Sequence, residues 1–240
     1  MTRDNGVSQK IHNELVLSFL AVRRAIGGLG FFLPVALLAY GVLGGGLLPS
    51  LSAAYYSPMR EVFVGTLIAQ AVFLWSYEGF RPDRGDIISD KATARVAAAA
   101  VALVALAPSC PGIGPCEVAP GTCTLLQCLL EPSLSSLVHL GAAAVFFGAL
   151  AVYCLVLFTK GEVDSQEKAA SNRIYRVCGW TIIVTIGAAG ILMFSGLYDR
   201  VAAWHPIFWL ESVATFAFAT SWMVKGKALR PLVQTVAAMR

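Results

Sequence analysis

Residues Ser133–Phe158 read SLSSLVHLGAAAVFFGALAVYCLVLF, an unbroken run that contains no Asp, Glu, Lys or Arg. Coiled as an α-helix at 1.5 Å per residue, it would be roughly 39 Å long, more than the ~30 Å hydrocarbon core of a bilayer requires. Apolar side chains recur around the whole circumference, so no face is left for water, and lipid is the solvent this segment calls for.

Five further windows flank it. Leu29–Leu48, Glu61–Phe80 and Ala92–Pro108 precede it, and Tyr175–Tyr198 and Pro206–Val224 follow. The expected fold class is therefore all-α: a polytopic transmembrane helical bundle of about six spans. Ala92–Pro108 is the shortest window and is rich in alanine, but omitting it would put a basic and an acidic connection on the same side. The whole composition agrees, since 57% of the 240 residues are hydrophobic and 13% are charged, against roughly 25% charged in a soluble domain. The net charge of +4 comes with no basic face or aromatic stacking set, which excludes nucleic acid as a partner.

Lys and Arg next to span ends are retained on the cytoplasmic side. Arg3, Lys10, Arg23 and Arg24 precede the first window, and Arg81, Arg84, Lys91 and Arg95 lie between or beside the second and third. Lys160, Lys168, Arg173 and Arg176 surround the fourth-to-fifth connection, while Lys225, Lys227, Arg230 and Arg240 end the chain. Of 18 basic residues only Arg60 and Arg200 fall on the other side. The expected location is the inner (plasma) membrane, multi-pass, with both termini cytoplasmic. Residues 1–24 are expected to form a short amphipathic interfacial helix with Ile11, Leu15, Phe19 and Val22 on one face. Its early apolar run ends in Arg23 and Arg24 instead of a small-residue cleavage site. Residues 25–226 form the six-helix domain, and 227–240 a cytoplasmic basic tail.

Cys110, Cys116, Cys123 and Cys128 all fall in the connection 109–132, which the charge rule places outside, where disulfides form. Two disulfides are expected there, with three connectivities open. Pro111, Gly112, Pro115, Pro120 and Gly121 suit a stapled cap, and no Cys-x-x-Cys pair suggests a zinc knuckle. Cys154 and Cys178 lie within spans as packing residues.

Ionisable groups inside a membrane are costly, so their positions point to function. Arg60 and Glu61 open the second window, His139 lies inside the fourth and Glu211 inside the sixth; Arg200 and His205 stand just before the sixth. A carboxylate at the depth of Glu211 needs a cation or hydrogen-bond donors, and Arg60 is the expected partner. SAAYYSPMRE, Ser52–Glu61, forms either an aromatic belt or a binding lip in which Ser52, Tyr55, Tyr56, Arg60, Glu61 and Arg200 hold a lipid headgroup. His139, Glu211 and Arg60 are the catalytic candidates, as acid or base and charge stabiliser. His139, His205 and Glu211 form a candidate two-histidine, one-carboxylate site for zinc, though no HExxH spacing supports it. SYEGFRPDRGD, Ser76–Asp86, reads as a solvated turn. Walker, GxSxG, dinucleotide and kinase patterns are absent.

Tyr55–Leu67 (YYSPMREVFVGTL), the SYEGF turn, FTKG at Phe158–Gly161, NRIYRVCG at Asn172–Gly179 and FWLESVATFAFATSWMVKG at Phe208–Gly226 together resemble a family of bacterial six-span integral membrane proteins without an assigned activity. The resemblance covers most of the chain and implies its span count. More distantly, the sequence is similar to the membrane hydrolases of the alkaline-ceramidase and adiponectin-receptor type, which use Ser, Asp and three His around zinc. It departs from them in lacking their seventh span and late HxxxH. The leading expectation is an outward-facing polar pocket that binds a membrane lipid or amphiphile, with hydrolysis the natural reaction class if the protein is an enzyme. The alternatives are an accessory or scaffolding subunit packing against a membrane protein partner or as a homo-oligomer, and a small transporter.

Overall fold

The computed structural model describes residues 3–80, 82, 85, 87–110, 116, 118 and 123–239, with side chains described from Leu17 onward. Among the described residues the chain is helical, with no strand. Helix α1 is Arg3–Tyr40, α2 Arg60–Trp75, α3 Asp90–Leu106, α4 Leu125–Leu130 and α5 Pro132–Val152. They are followed by α6, Gln166–Phe194, α7, Tyr198–Val201, α8, Pro206–Lys225, and α9, Arg230–Ala238. Single π-helical turns extend α1 through Gly41–Gly45 and α5 through Tyr153–Leu157.

Local chemistry sets the helix starts. Ser89 and Ser165 accept the backbone N–H groups of Ala92 and Lys168, each at 3.2 Å, and so cap α3 and α6. Pro132, Pro206 and Pro231 stand in the first turns of α5, α8 and α9, where a missing N–H costs nothing.

Four stretches are long and apolar enough to cross a membrane: Leu17–Gly45, Pro132–Leu157, Gln166–Phe194 and Pro206–Lys225. Helices α2 and α3 have 16 and 17 residues, about 24 and 26 Å of helix, a little under a full hydrocarbon thickness. All six pack as one body, because the main contacts run α1 to α2 to α3 to α5 to α6 to α8 and back to α1, closing a ring. Phe63, Leu74, Val101, Leu150, Ile182, Phe208 and Trp222 fill its interior, while Val177, Trp180, Val184, Ile191 and Phe194 stand exposed on α6.

Two boundaries differ from those expected. The N-terminal helix is continuous with the first apolar stretch, since the backbone of α1 runs through Arg23 and Arg24 without a break and its apolar stretch starts at Leu17. The faces assigned to Ile11 and Leu15 lie outside the described side chains. The physical reason for continuity is that nothing before Pro34 interrupts the hydrogen-bond ladder, and Gly27 and Gly30, which weaken it, are needed for packing. A Cβ on Gly27 would stand 3.0 Å from both Ala219 O and Met223 N, so only glycine lets α1 lie this close to the backbone of α8. Secondly, the second window ends early: α2 stops at Trp75, and Tyr77 folds back into the core at 1% exposure.

The cysteines are paired as Cys110–Cys116 and Cys123–Cys128, so each bridge closes its own short loop. Pro111, Gly112, Pro115, Pro120 and Gly121 lie outside the described residues. Cys154 and Cys178 are free and buried.

Candidate functional site

One end of the ring gathers the loop after α1, the end of α3 and the starts of α2, α5 and α8. A 3₁₀ turn, Ser52–Tyr56, leads into α2 and is docked on α8 by two backbone donors. Phe208 N–H reaches Pro49 O at 3.1 Å, and Leu51 N–H reaches Glu211 Oε2 at 2.7 Å. Glu211, about a turn and a half into α8, thus meets the free N–H groups at the start of a helical turn, where a carboxylate is favoured.

Ser52 Oγ lies 2.8 Å from His139 Nε2. On the other side of the ring His139 Nδ1 lies 2.7 Å from Ala107 O. A carbonyl only accepts, so Nδ1 carries the hydrogen, Nε2 presents its lone pair, and Ser52 O–H donates to it. The imidazole is 2% exposed. Ser135, a turn earlier on α5, donates to Pro108 O at 3.1 Å and fixes the α5 start against the end of α3. A hydroxyl, an imidazole holding its lone pair toward it and an acceptor orienting that imidazole are the three parts an activated serine needs.

Behind Ser52 lies a cavity of about 60 Å³. Its polar lining is Ser52, Thr66, Gln70, Glu211 and Thr215, and apolar side chains of α1, α2, α3, α5 and α8 make the rest. Gln70 is 3% exposed, and its Nε2 has no hydrogen-bond partner. A buried amide donor left unmatched beside a small cavity is set up to receive an acceptor placed there.

The other expected site residues are placed differently. Arg60 does not pair with Glu211: its guanidinium stacks 4.5 Å over the Tyr55 ring and donates to Tyr55 OH at 3.1 Å. The reason is local, since Tyr55 precedes it by just over one helical turn and offers both a π face and a hydroxyl. Tyr56 staples the cap. Its hydroxyl donates to Ser109 O at 2.6 Å and accepts from Gln127 Nε2 at 2.8 Å. Partial burial pushes this phenol above the ordinary tyrosine range, against the opposing hydrogen bond from Gln127, so it stays a protonated donor. Glu61 and Arg200 are exposed. His205 adopts a left-handed conformation, φ 49°, at the entrance to α8, and its buried Nδ1 has no partner. Among the described residues no three His, Cys, Asp or Glu side chains are grouped to hold a metal ion; His139 Nε2 faces Ser52 and Glu211 Oε2 faces the Leu51 N–H.

Sequence reasoning singled out Ser52, His139 and Glu211 but assigned Ser52 to headgroup binding, and it missed Gln70. A glutamine at an apolar window's midpoint is the signal that could have marked it.

The bond from Leu51 N–H gives Glu211 a measurable role. Glu211→Ala strands a buried donor and is expected to lower stability by about 1–3 kcal/mol. Glu211→Gln keeps an oxygen acceptor and should recover most of that loss in thermal unfolding of the detergent-solubilised protein.

No protein-family model, curated protein or solved structure matches the chain.

Proposed function

We propose that the protein is a six-span membrane hydrolase, both termini cytoplasmic, that cleaves an ester or amide bond of a lipid or other amphiphile at Ser52. The observation that carries this reading is the Ser52 Oγ to His139 Nε2 hydrogen bond with its Ala107 anchor. Ser52 Oγ attacks the substrate carbonyl carbon as its proton passes to His139 Nε2, and the carbonyl electron pair moves onto oxygen. Gln70 Nε2, unpartnered and lining the same cavity as Ser52, is assigned as the donor to that oxyanion. Collapse of the intermediate breaks the bond to the leaving group, which takes the proton from His139. Water then repeats the sequence on the acyl-serine, releasing the acid. The cavity is small and mostly apolar, so it suits the carbonyl and its first methylenes, with the remaining chain left in lipid.

The ring of six helices supports six spans, and the basic residues support the orientation. Arg23, Tyr77, Asp90, Phe158, Tyr175 and Lys225 meet at one end, whereas Ser52, Ala107, His139 and Glu211 meet at the other. On this reading Ser52 faces the outer leaflet and the disulfide loop is external. After reduction of intact cells, a membrane-impermeant maleimide should label Cys110–Cys128 region thiols; labelling only after permeabilisation removes the orientation. The chemistry is tested with a fluorophosphonate probe on protein in nanodiscs, which should leave its adduct on Ser52.

A second reading, packing as a subunit against another membrane protein or a second copy, draws on a recess of about 770 Å³ along α6. Asn172 lines it, and the Oδ1 of that residue is buried without a partner. Co-purification of a stoichiometric partner with an unreactive Ser52 would favour this reading.

A further inference from the structure

At the end of the ring opposite Ser52, the chain surrounds a second cavity, of about 500 Å³. Its cationic lining is Arg23 of α1, Lys168 of α6, Lys225 at the end of α8, Lys227 in the turn that follows and Arg230 of α9. One carboxylate, Glu167, shares the lining, and Asp90 of α3 stands behind, close enough to act on Arg23 and Lys225. Asp164 acts on Lys168 in the same way, and five cations against three carboxylates still leave a local surplus of positive charge inside a concave space. Among the described residues the ion pair within 4.0 Å is Lys91 with Glu78, so none of these five is in direct contact with a described carboxylate.

Arg23 is the informative member. It is 5% exposed, an expensive position for a guanidinium without a paired anion. Tyr77 OH receives its Nε at 3.2 Å and Nη2 at 3.0 Å, and Lys225 O receives Nη1 at 3.4 Å. Those bonds occupy three of its five N–H groups and leave two for another acceptor. Phe19 lies 4.1 Å beneath its guanidinium carbon and Phe80 lies 5.2 Å away, so the group is held in a fixed plane. Lys225 Nζ donates to Phe158 O at 3.4 Å and faces the rings of Phe80, Phe158 and Tyr175. The fold around it is specific. Gly79, φ +64°, lets the chain turn against Asp90, whose Oδ2 accepts Phe80 N–H at 3.2 Å, and this seats the Phe80 ring in the cavity wall. Retention of basic residues on one side of a membrane would scatter them over the surface; here five, from four segments, converge on one space.

We propose that this cavity binds a phosphate group, with Arg23 as the rigid donor at its base and Lys168, Lys225, Lys227 and Arg230 supplying charge around it. A planar guanidinium with ammonium groups beside it matches a phosphate's several acceptor oxygens. The phosphate belongs to an anionic phospholipid headgroup or to a soluble phosphate ester, which share this chemistry. The site is independent of Ser52, because Glu211 and Lys225 are separated by about 21 Å along α8, and either proposal survives failure of the other.

The full chain in detergent is titrated with phosphatidylglycerol, with phosphatidylcholine and with inorganic phosphate, and binding is followed by native mass spectrometry and thermal unfolding. Phosphatidylglycerol is expected to bind at least about tenfold more tightly than phosphatidylcholine. The Lys227→Gln, Arg230→Gln double variant should lose about tenfold in that affinity, and Lys227→Arg, Arg230→Lys should restore it, because these two residues are at or near the surface and their charge is the quantity tested. Inorganic phosphate that displaces the lipid supports a site open to either source. Lipid binding undisturbed by phosphate supports a headgroup held together with its acyl chains. Equal affinity for the two lipids with no effect of inorganic phosphate overturns the proposal, and so does a glutamine double variant that binds phosphatidylglycerol as tightly as the wild type. Melting in phosphatidylcholine alone identifies a variant that has merely misfolded, in which case Lys168→Gln replaces it.

Discussion

Ser52→Ala and His139→Ala are each expected to lower lipid-ester turnover by about 10²–10⁴-fold, the usual contribution of a nucleophile and its base. Both variants should also lose the fluorophosphonate adduct. The effect is large because the two groups act as a unit: without His139 Nε2 the Ser52 proton has no acceptor, and without Ser52 there is no atom to acylate. A purely structural role makes a different forecast. Ser52→Ala would then leave His139 Nε2 unpaired in the interior, costing about 1–3 kcal/mol of stability, with no reactive serine ever detected. The rate against pH separates these further, since turnover through a neutral imidazole rises with pH as His139 loses its proton and then levels. Undiminished turnover by Ser52→Ala, or an adduct found on another serine, would end the hydrolase reading.

Gly27→Leu is expected to destabilise the bundle by about 3 kcal/mol, the upper part of the range for overpacking a tight contact. Even the first added carbon would stand 3.0 Å from Ala219 O and Met223 N. These are backbone atoms of α8 and cannot swing aside as a side chain does. The α1 and α8 contact would have to open, and α8 carries both Glu211 and Lys225, so the two ends of the ring would loosen together. Gly28→Ala is the control. A Cβ there meets nothing within 4 Å, and exchanging glycine for alanine inside a helix should be neutral or gain about 0.5–1 kcal/mol. Thermal unfolding of the two variants in one detergent compares them directly, and equal melting temperatures would contradict the packing account.

Neither Ser52 nor Glu211 could have been understood from its neighbours in the chain. Glu211 was legible as a carboxylate in need of a partner, and Arg60 as the nearest cation in the expected layer. The partner is instead the Leu51 backbone N–H, a group every residue but proline carries and no side-chain inventory displays. Arg60 was claimed by Tyr55, five positions away. Likewise Arg23 read as one of a pair of charges marking a membrane boundary, yet it is buried under Phe19 and Tyr77.

By itself the amino-acid sequence determined that the chain is built of long apolar helices and that four neighbouring cysteines can pair. Both follow from local properties: hydrophobic runs need internally satisfied backbone, and thiols close in sequence meet easily. Tertiary structure alone decided which helices adjoin in the ring, which two cysteine pairs form, and that Ser52, Ala107 and His139 meet. Those outcomes depend on close approaches such as Gly27 on α8, whose energies arise only between segments far apart in the chain, so no local pattern records them.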